Sequence, residues 1–301
     1  MFGVEPFLRG LRLFDAPALA AAFALGVVTT VCCAGRWVLI ARALGVGVPL
    51  LGAIADCYRA VFLNATLSGV ILGDLHGAIG HGRHTGDVAR GIRIVVWERA
   101  AGQVVLVAVA GVAVVAMPSP VRPYLPTAAA IGAGGLTTFL LLRWRLPRLL
   151  PARWRAATRA AAAEARAMAT SGATAVGVLL TSAVAMAGYL ATLLLAARTA
   201  GVTAPLGVLI PLALLALVAM AAPANVAGFG PREGVAAWAF GAAGLTAAEG
   251  IAATTVYGAL VLAASLPGLV VLLLGRTPGS PPRVAAAPAP RPPLRNRQGE
   301  A

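Results

Sequence analysis

Residues 172–197 read GATAVGVLLTSAVAMAGYLATLLLAA, and this stretch decides the fold class. None of its side chains is charged, and it exceeds the roughly 20 apolar residues that a helix needs to cross a bilayer. The stretch therefore predicts a transmembrane helix.

Seven further apolar runs lie on either side of this stretch. Hydrophobic residues make up 59% of the chain and charged residues 11%, against roughly 45–50% and 25% in soluble domains. We expect an all-α polytopic membrane bundle of about eight transmembrane helices, with broken or re-entrant segments, over residues 1–275. The runs are too closely spaced to leave room for a soluble catalytic domain. They cover residues 17–35, 48–72, 103–118, 125–142, 204–222, 231–248 and 252–275.

The positive charge of the chain comes from arginine alone. All 24 basic residues are arginine, against ten acidic residues, and the formal net charge is +14. Without lysine, Schiff-base chemistry and a phosphate-loop lysine are excluded. With a cytoplasmic N-terminus, the cytoplasmic loops would carry 18 arginines and the opposite loops four, as the positive-inside rule requires. We therefore expect a multi-pass protein of the cell membrane with both termini in the cytoplasm, which meets anionic lipid rather than nucleic acid.

Two segments outside the runs have a different character. Residues 151–170 predict a helix with Arg155, Arg159 and Arg166 on one face. This helix either lies at the cytoplasmic interface against anionic head groups or is a connector whose arginines fix the topology. Residues 276–301 are rich in proline and arginine and predict a disordered cytoplasmic tail. The cysteine and histidine spacings suggest no metal site, and we expect no cofactor.

Polar residues within the apolar runs are candidate functional residues, because they are costly in lipid. Asp56 and Arg59 are three positions apart and share a helix face. They form either part of a head-group or proton pathway or a buried pair that fixes helix packing. The glycines that precede Asp74, in LSGVILGD at 67–74, indicate either a broken helix beside a cavity or a helix end.

Glu98 and Arg99 bring an acid and a base to the start of the third run. Neighbouring residues diverge by about 100° on a helix, so these two should have different partners. We expect Asp74 or Asp87 to pair with Arg99.

The most specific segment is PANVAGFGPREG at 223–234, between the sixth and seventh runs. Its prolines and glycines predict that one helix ends and another begins at Pro231. Arg232 in the first turn would offer a bidentate fork and the positive helix end to a phosphate or carboxylate, or would pair with Glu233. The alternative is an ordinary loop. Residues 223–248 either cross or re-enter the membrane, and the arginine distribution favours a crossing.

Five motifs occur in order along the chain: Arg36-Trp37, ARALGVGVPL from Ala41, Asn64 ahead of LSGVILGD, Glu98-Arg99, and P-x4-G-x-G-x-R-E from Pro223 to Glu233. Together they resemble the lysylphosphatidylglycerol synthase transmembrane family, which comprises flippase-like membrane domains. Ser68 and Leu72 stand where this family tends to show a proline and paired glycines, and Gly77 where it often has an arginine.

The resemblance covers most of residues 17–275 and implies a multi-span bundle that moves, or helps to process, charged lipids or lipid-linked sugars. The aminoacyl transferase activity of the family resides in a separate soluble domain, for which this sequence has no room. We therefore expect no enzymatic activity.

These observations predict a protein that binds an anionic or polyprenyl-type lipid, such as an anionic phospholipid or a lipid-linked sugar, and assists its passage between leaflets. A non-transporting scaffold for a lipid-modifying enzyme or glycosyltransferase is the second interpretation, and a proton- or sodium-coupled solute transporter is the third. The oligomeric state is open. The predicted site residues are Arg232, Glu233, Asn225, Gly228, Gly230, Asp74, Glu98, Arg99, Asp56 and Arg59.

Overall fold

The computed structural model describes residues 16–66, 88–117, 152–220 and 230–274, with isolated positions between 119 and 138. The regular structure of these residues is entirely helical, which confirms the predicted fold class. The helices are α1 Ala16–Ala43, α2 Leu50–Thr66, α3 Val88–Ala116, α4 Ala152–Thr170, α5 Gly172–Thr199, α6 Leu206–Ala219, α7 Pro231–Ala242, α8 Ala247–Ala264 and α9 Leu266–Leu273, with a 3-10 turn at Arg122–Tyr124.

Four helical segments of the described residues are long and apolar enough to cross a membrane. They are α1, α3 from Arg90 onward, α5, and α8 with α9 as one segment. Large apolar side chains are exposed along the outside of the bundle, as at Val104, Val107 and Val112 of α3. Exposed apolar surface on this scale marks an interaction with lipid or protein, and lipid is the natural neighbour of a polytopic bundle.

Helix α5 lies at the centre of the bundle and packs against α1, α3, α4, α6 and α8. Its closest neighbour is α1, and small residues permit the approach. A Cβ on Gly177 would lie 2.8 Å from Cδ1 of Leu39, and a Cβ on Gly188 would collide with Cγ2 of Thr29. Because van der Waals packing drives helix association in lipid, glycine at such contacts lets the backbones meet closely.

The directions of the helices follow from these contacts. Gly177 lies against Leu39 and Gly188 against Thr29, so α5 runs opposite to α1. In α3, Ile94 packs near Ala41 and the later part of the helix packs near Ala22, so α3 also runs opposite to α1. We name the two ends of the bundle after arginines: the Arg42 end holds the end of α1, and the Arg198 end holds the end of α5.

The segment α8–α9 runs in the same direction as α1. Ala253 near its start packs with Ala197 and Val202 at the Arg198 end. Further along, Ala264 faces Gly26, where an added Cβ would lie 2.7 Å away. The described chain therefore begins at the Arg198 end and stops at the Arg42 end. This does not agree with the expectation that both termini lie on one side, although the terminal residues themselves lie outside the described part.

Helices α6 and α7 form a hairpin that enters and leaves the bundle at the Arg198 end. With 14 and 12 residues, they are about 21 Å and 18 Å long, shorter than the roughly 30 Å hydrocarbon core. The carbonyl oxygen of Ala236 lies against Gly250, and Arg232 lies against Gly258, so α7 runs opposite to α8. Of the two interpretations open for 223–248, re-entry fits the lengths of these two helices better than the favoured crossing, whereas their directions agree with both.

Helix α4 is present over most of the predicted interfacial segment and packs against α5 and α1. Glu164 attaches it to α3 at the Arg42 end. Its Oε1 accepts from Nε of Arg93 at 2.7 Å, and its Oε2 accepts from Nε1 of Trp97 at 3.1 Å. The predicted tail 276–301 and most of the fourth run, 125–142, lie outside the described residues.

Candidate functional site

The first turn of α7 holds an arginine and a glutamate in a fixed arrangement. Gly230 precedes the helix in an extended conformation, and Pro231 is its first residue. The backbone N–H of Gly230 donates to Oε2 of Glu233 at 2.9 Å, which closes the helix start as in a capping box. Glu233 is buried, and its carboxylate complements the positive end of the helix.

The guanidinium of Arg232 is held on one edge and stacked on one face. Nε donates to Oε1 of Glu233 at 2.7 Å, and Nη2 donates to the same oxygen. Cζ lies 5.5 Å from the ring centroid of Tyr257, within the range of a cation–π contact. Tyr257 is buried, whereas the Arg232 side chain keeps 21% of its surface exposed. An arginine in this setting can bind an incoming anion without first being oriented.

Tyr257 shows how deep in the membrane Arg232 lies, because Tyr257 is near the middle of the Ala247–Leu273 segment. Gly258 provides room beside the arginine, because a Cβ there would lie 3.4 Å from Nη2 of Arg232. Helix α7 thus begins well inside the bundle. A charged residue at this depth is costly, so Arg232 is a candidate functional residue.

A second polar cluster joins α1, α3 and α5, with Arg36 at its centre. Nε of Arg36 donates to Oε1 of Glu98 at 3.0 Å, and Nη2 donates to the same oxygen. Nη1 donates to Oγ of Ser182 at 3.2 Å, and Nη2 lies 3.8 Å from Sγ of Cys33. That sulfur is 3.4 Å from the hydroxyl of Tyr189. Sequence reasoning named Arg36 only within the Arg36-Trp37 motif and missed it as a site residue.

The third cluster is the pair that sequence spacing predicted. Nη1 of Arg59 donates to Oδ1 of Asp56 at 3.2 Å, and both side chains are buried in α2. Helix α2 packs against α1 and α9, and the backbone of Tyr58 lies directly against Gly268. The geometry agrees with either interpretation of the pair, a polar pathway or a packing contact.

A cavity of about 40 Å³ lies between α1, α2, α5 and α8. Its walls are apolar apart from five hydroxyl groups, and its volume is enough for water, which needs about 10–15 Å³ and two to four polar partners. Tyr189 links this cavity to the Arg36 cluster. The hydroxyl groups belong to Thr29, Thr30, Tyr189, Thr192 and Ser265.

The family described as Lysylphosphatidylglycerol synthase TM region matches residues 1–268. The chain belongs to this family. Membership makes it a multi-pass membrane protein linked to lipid handling. The matched range contains all three polar clusters and the cavity. No curated protein and no solved structure matches the chain significantly.

In this member of the lysylphosphatidylglycerol synthase transmembrane family, the structure brings together some predicted residues and separates others. Gly230, Arg232 and Glu233 form one unit. Glu98 belongs to the Arg36 cluster, and Asp56 with Arg59 forms a pair of its own.

Arg99 diverges from Glu98 as expected and is exposed on α3. Its proposed partners, Asp74 and Asp87, lie outside the described residues, as do the predicted site residues Asn225 and Gly228. Within the described residues, no three His, Cys, Asp or Glu side chains come close enough to hold a metal ion.

The signal for Arg36 was present in the sequence. The arginine follows the first apolar run directly, and no helix breaker occurs before Gly45, which has a φ of +77°. Helix α1 therefore continues to Ala43 and carries Arg36 inside the bundle. Arg36-Trp37 was also among the motifs of the family resemblance.

Proposed function

We propose that this protein binds the phosphate of an anionic or polyprenyl-type lipid at Arg232 and assists passage of the head group across the bilayer. The observation that carries this proposal is the Arg232 guanidinium, fixed by Glu233 and Tyr257 at the inner end of the re-entrant hairpin. Binding sites at the broken helices of transporters likewise point a helix N-terminus at an anionic substrate group.

Glu233 acts in this proposal as an internal counter-ion. Both donors of Arg232 share its single Oε1 oxygen, whereas a phosphate offers two oxygens to the guanidinium fork. An arriving phosphate can therefore replace one shared acceptor by two parallel hydrogen bonds. Glu233 keeps its second oxygen on the Gly230 N–H and preserves the helix start. We assign no covalent reaction to these residues.

We place the Arg42 end on the cytoplasmic side. Arg93 of α3 and the arginine-rich helix α4 are at this end, whereas Arg198 and Arg122 belong to the connections of the opposite end.

The test replaces Arg232 in protein reconstituted into vesicles of phosphatidylcholine and phosphatidylglycerol at 3:1. Dithionite quenching of a labelled phosphatidylglycerol reports its movement between leaflets. Arg232→Ala should slow this movement by about tenfold or more, because a charge-assisted hydrogen bond contributes about 1.5–3 kcal/mol. Arg232→Lys should restore only part of it, since lysine lacks the planar fork.

The matched control is Gly234→Ala in the same helix, where an added Cβ meets nothing within 4 Å. It should leave lipid movement unchanged. Equal movement in folded Arg232→Ala and in the wild-type protein would remove the assignment of Arg232.

A non-transporting scaffold is the second candidate, and helix α4 favours it. Glu164 fixes this helix to α3, while Arg159 and Arg166 are exposed on it. Under this proposal the purified protein moves no lipid, and Arg159→Gln with Arg166→Gln releases a lipid-modifying enzyme that co-purifies with the wild-type protein.

A further inference from the structure

The Arg36 cluster repeats the main features of the Arg232 site. In both places Nε and Nη2 of an arginine donate to one carboxylate oxygen, Oε1 of Glu98 or Oε1 of Glu233. In both places a glycine faces the guanidinium. At Gly102 a Cβ would lie 3.1–3.3 Å from Nη1, Nη2 and Cζ of Arg36. A side chain at this position would therefore push the guanidinium aside by a few tenths of an ångström.

The Arg36 cluster contains more polar groups than an ion pair needs. Ser182 accepts from Nη1, Cys33 lies beside Nη2, and Tyr189 contacts that sulfur. A buried pair that only held helices together would contribute little net stability over apolar packing. A set of donors and acceptors from three helices, inside the part of the chain that spans the membrane, has the composition of a binding site.

A tyrosine beside each arginine belongs to the same core. Tyr189, which contacts the Arg36 cluster, packs in the same core as Tyr257, which lies under Arg232. Tyr189 also lines the hydroxyl-bearing cavity. The path between the two arginines runs from Glu98, on the Arg42 side of the bundle, to the inner end of α7, and the cavity lies along this path.

We propose that Arg36 and Glu98 form a second binding station for a phosphate group, on the Arg42 side of the Arg232 station. The inference rests on the proposed function, because it places the same head group at two successive positions. Glu98 is the counter-ion of Arg36 in the absence of the phosphate. When the phosphate binds, it replaces Glu98 as the acceptor from Nε and Nη2 of Arg36. Ser182 stays on Nη1 and keeps the guanidinium plane in place.

The test counts bound phosphatidylglycerol on the full chain by native mass spectrometry, after release from detergent. The wild-type protein should retain two molecules. Gly102→Ala, which displaces Arg36 without removing its charge, should retain one, and so should Arg36→Gln. The matched control is Gly111→Ala in the same helix, where a Cβ meets nothing within 4 Å, and it should retain two.

A parallel arm replaces the lipid by inorganic phosphate and separates the two sources of this ligand chemistry. Loss of the phosphate adducts in Gly102→Ala would support the second station. If the number of lipids retained by Gly102→Ala equals that of the wild-type protein, the station binds free phosphate.

Two retained lipids and unchanged phosphate adducts in folded Gly102→Ala and Arg36→Gln would overturn the second station. Arg232→Ala distinguishes this failure from failure of the proposed function. If Arg232→Ala loses one lipid and Gly102→Ala loses none, the Arg232 site is supported and the second station is rejected. If Gly102→Ala loses one lipid and Arg232→Ala loses none, the second station is supported and the Arg232 assignment is rejected.

Discussion

At the scale of single residues, Arg232 is oriented by two neighbours of different chemistry. Glu233 holds one edge through hydrogen bonds, and Tyr257 supports the face of the guanidinium with its ring. Arginine loses rotamer freedom when it binds a ligand, and a side chain already held in place loses less on binding. Tyr257 therefore acts as a positioning residue through its aromatic face rather than through its hydroxyl.

Removing the ring of Tyr257 should weaken binding, whereas removing the hydroxyl should not. A cation–π contact contributes about 0.5–2 kcal/mol, so Tyr257→Leu should raise the Kd for phosphatidylglycerol in nanodiscs by roughly 2- to 30-fold. Tyr257→Phe keeps the aromatic face and serves as the matched control. Equal affinities of the Leu and Phe variants would contradict the positioning role.

The sequence predicted some of these contacts and not others, for physical reasons. Arg232 and Glu233 are neighbours after a proline, so their shared helix start could be inferred. Arg36 and Glu98 are 62 positions apart, and nothing in either apolar run indicates which helix faces which. A uniformly apolar helix has no polar face to mark its orientation, and burial in a membrane removes the alternation that soluble helices show.

At the scale of elements, the α6–α7 hairpin depends on the close packing of α7 against α8. The carbonyl oxygen of Ala236 lies 2.5 Å from the position of a Cβ on Gly250. The apolar run 231–248 combines α7 with the turn to α8 at Gly244, which has a φ of +83° and lies among apolar and small residues. Hydropathy therefore separated this run from 252–275 but did not show that α7 ends at Ala242.

Gly250→Ala should separate α7 from α8 and move Arg232 away from Tyr257. A backbone oxygen cannot rotate aside as a flexible side chain can, and overpacking of this kind costs about 1–3 kcal/mol. We expect a lower midpoint of thermal unfolding in detergent and weaker phosphatidylglycerol binding. Gly241→Ala, where a Cβ meets nothing within 4 Å, should leave both measurements unchanged. Unfolding and binding like those of the wild-type protein would contradict this account of the hairpin.

At the scale of the whole molecule, the directions of the helices separate the two ends of the described chain. The arginine count alone fitted a chain with both termini in the cytoplasm, because it treated all eight apolar runs as crossings and so gave α1 and α3 the same direction. The α6–α7 hairpin removes two crossings and does not change the sides of the ends; the difference comes from α3, which runs opposite to α1. The sequence therefore predicted the membrane bundle and most of its spans, whereas the sidedness of the ends depended on the relative direction of two helices, which no composition specifies.

Single cysteines test this sidedness in a chain whose native cysteines are replaced by alanine. Gly47→Cys and Leu274→Cys lie at the Arg42 end, and Thr203→Cys lies at the Arg198 end; all three positions are exposed. In sealed vesicles, an impermeant maleimide should label Thr203→Cys from the face opposite to the other two. Labelling of all three from the same face would contradict the helix directions described above.

The hairpin also has an electrical consequence. Its inner end leaves Arg232 part of the way through the low-dielectric layer, beside the middle of the Ala247–Leu273 segment. A full elementary charge that crosses the whole membrane gains or loses about 2.3 kcal/mol per 100 mV. An anion that stops beside Arg232 would cross about half of this voltage drop, so its occupancy should change by roughly sevenfold per 100 mV.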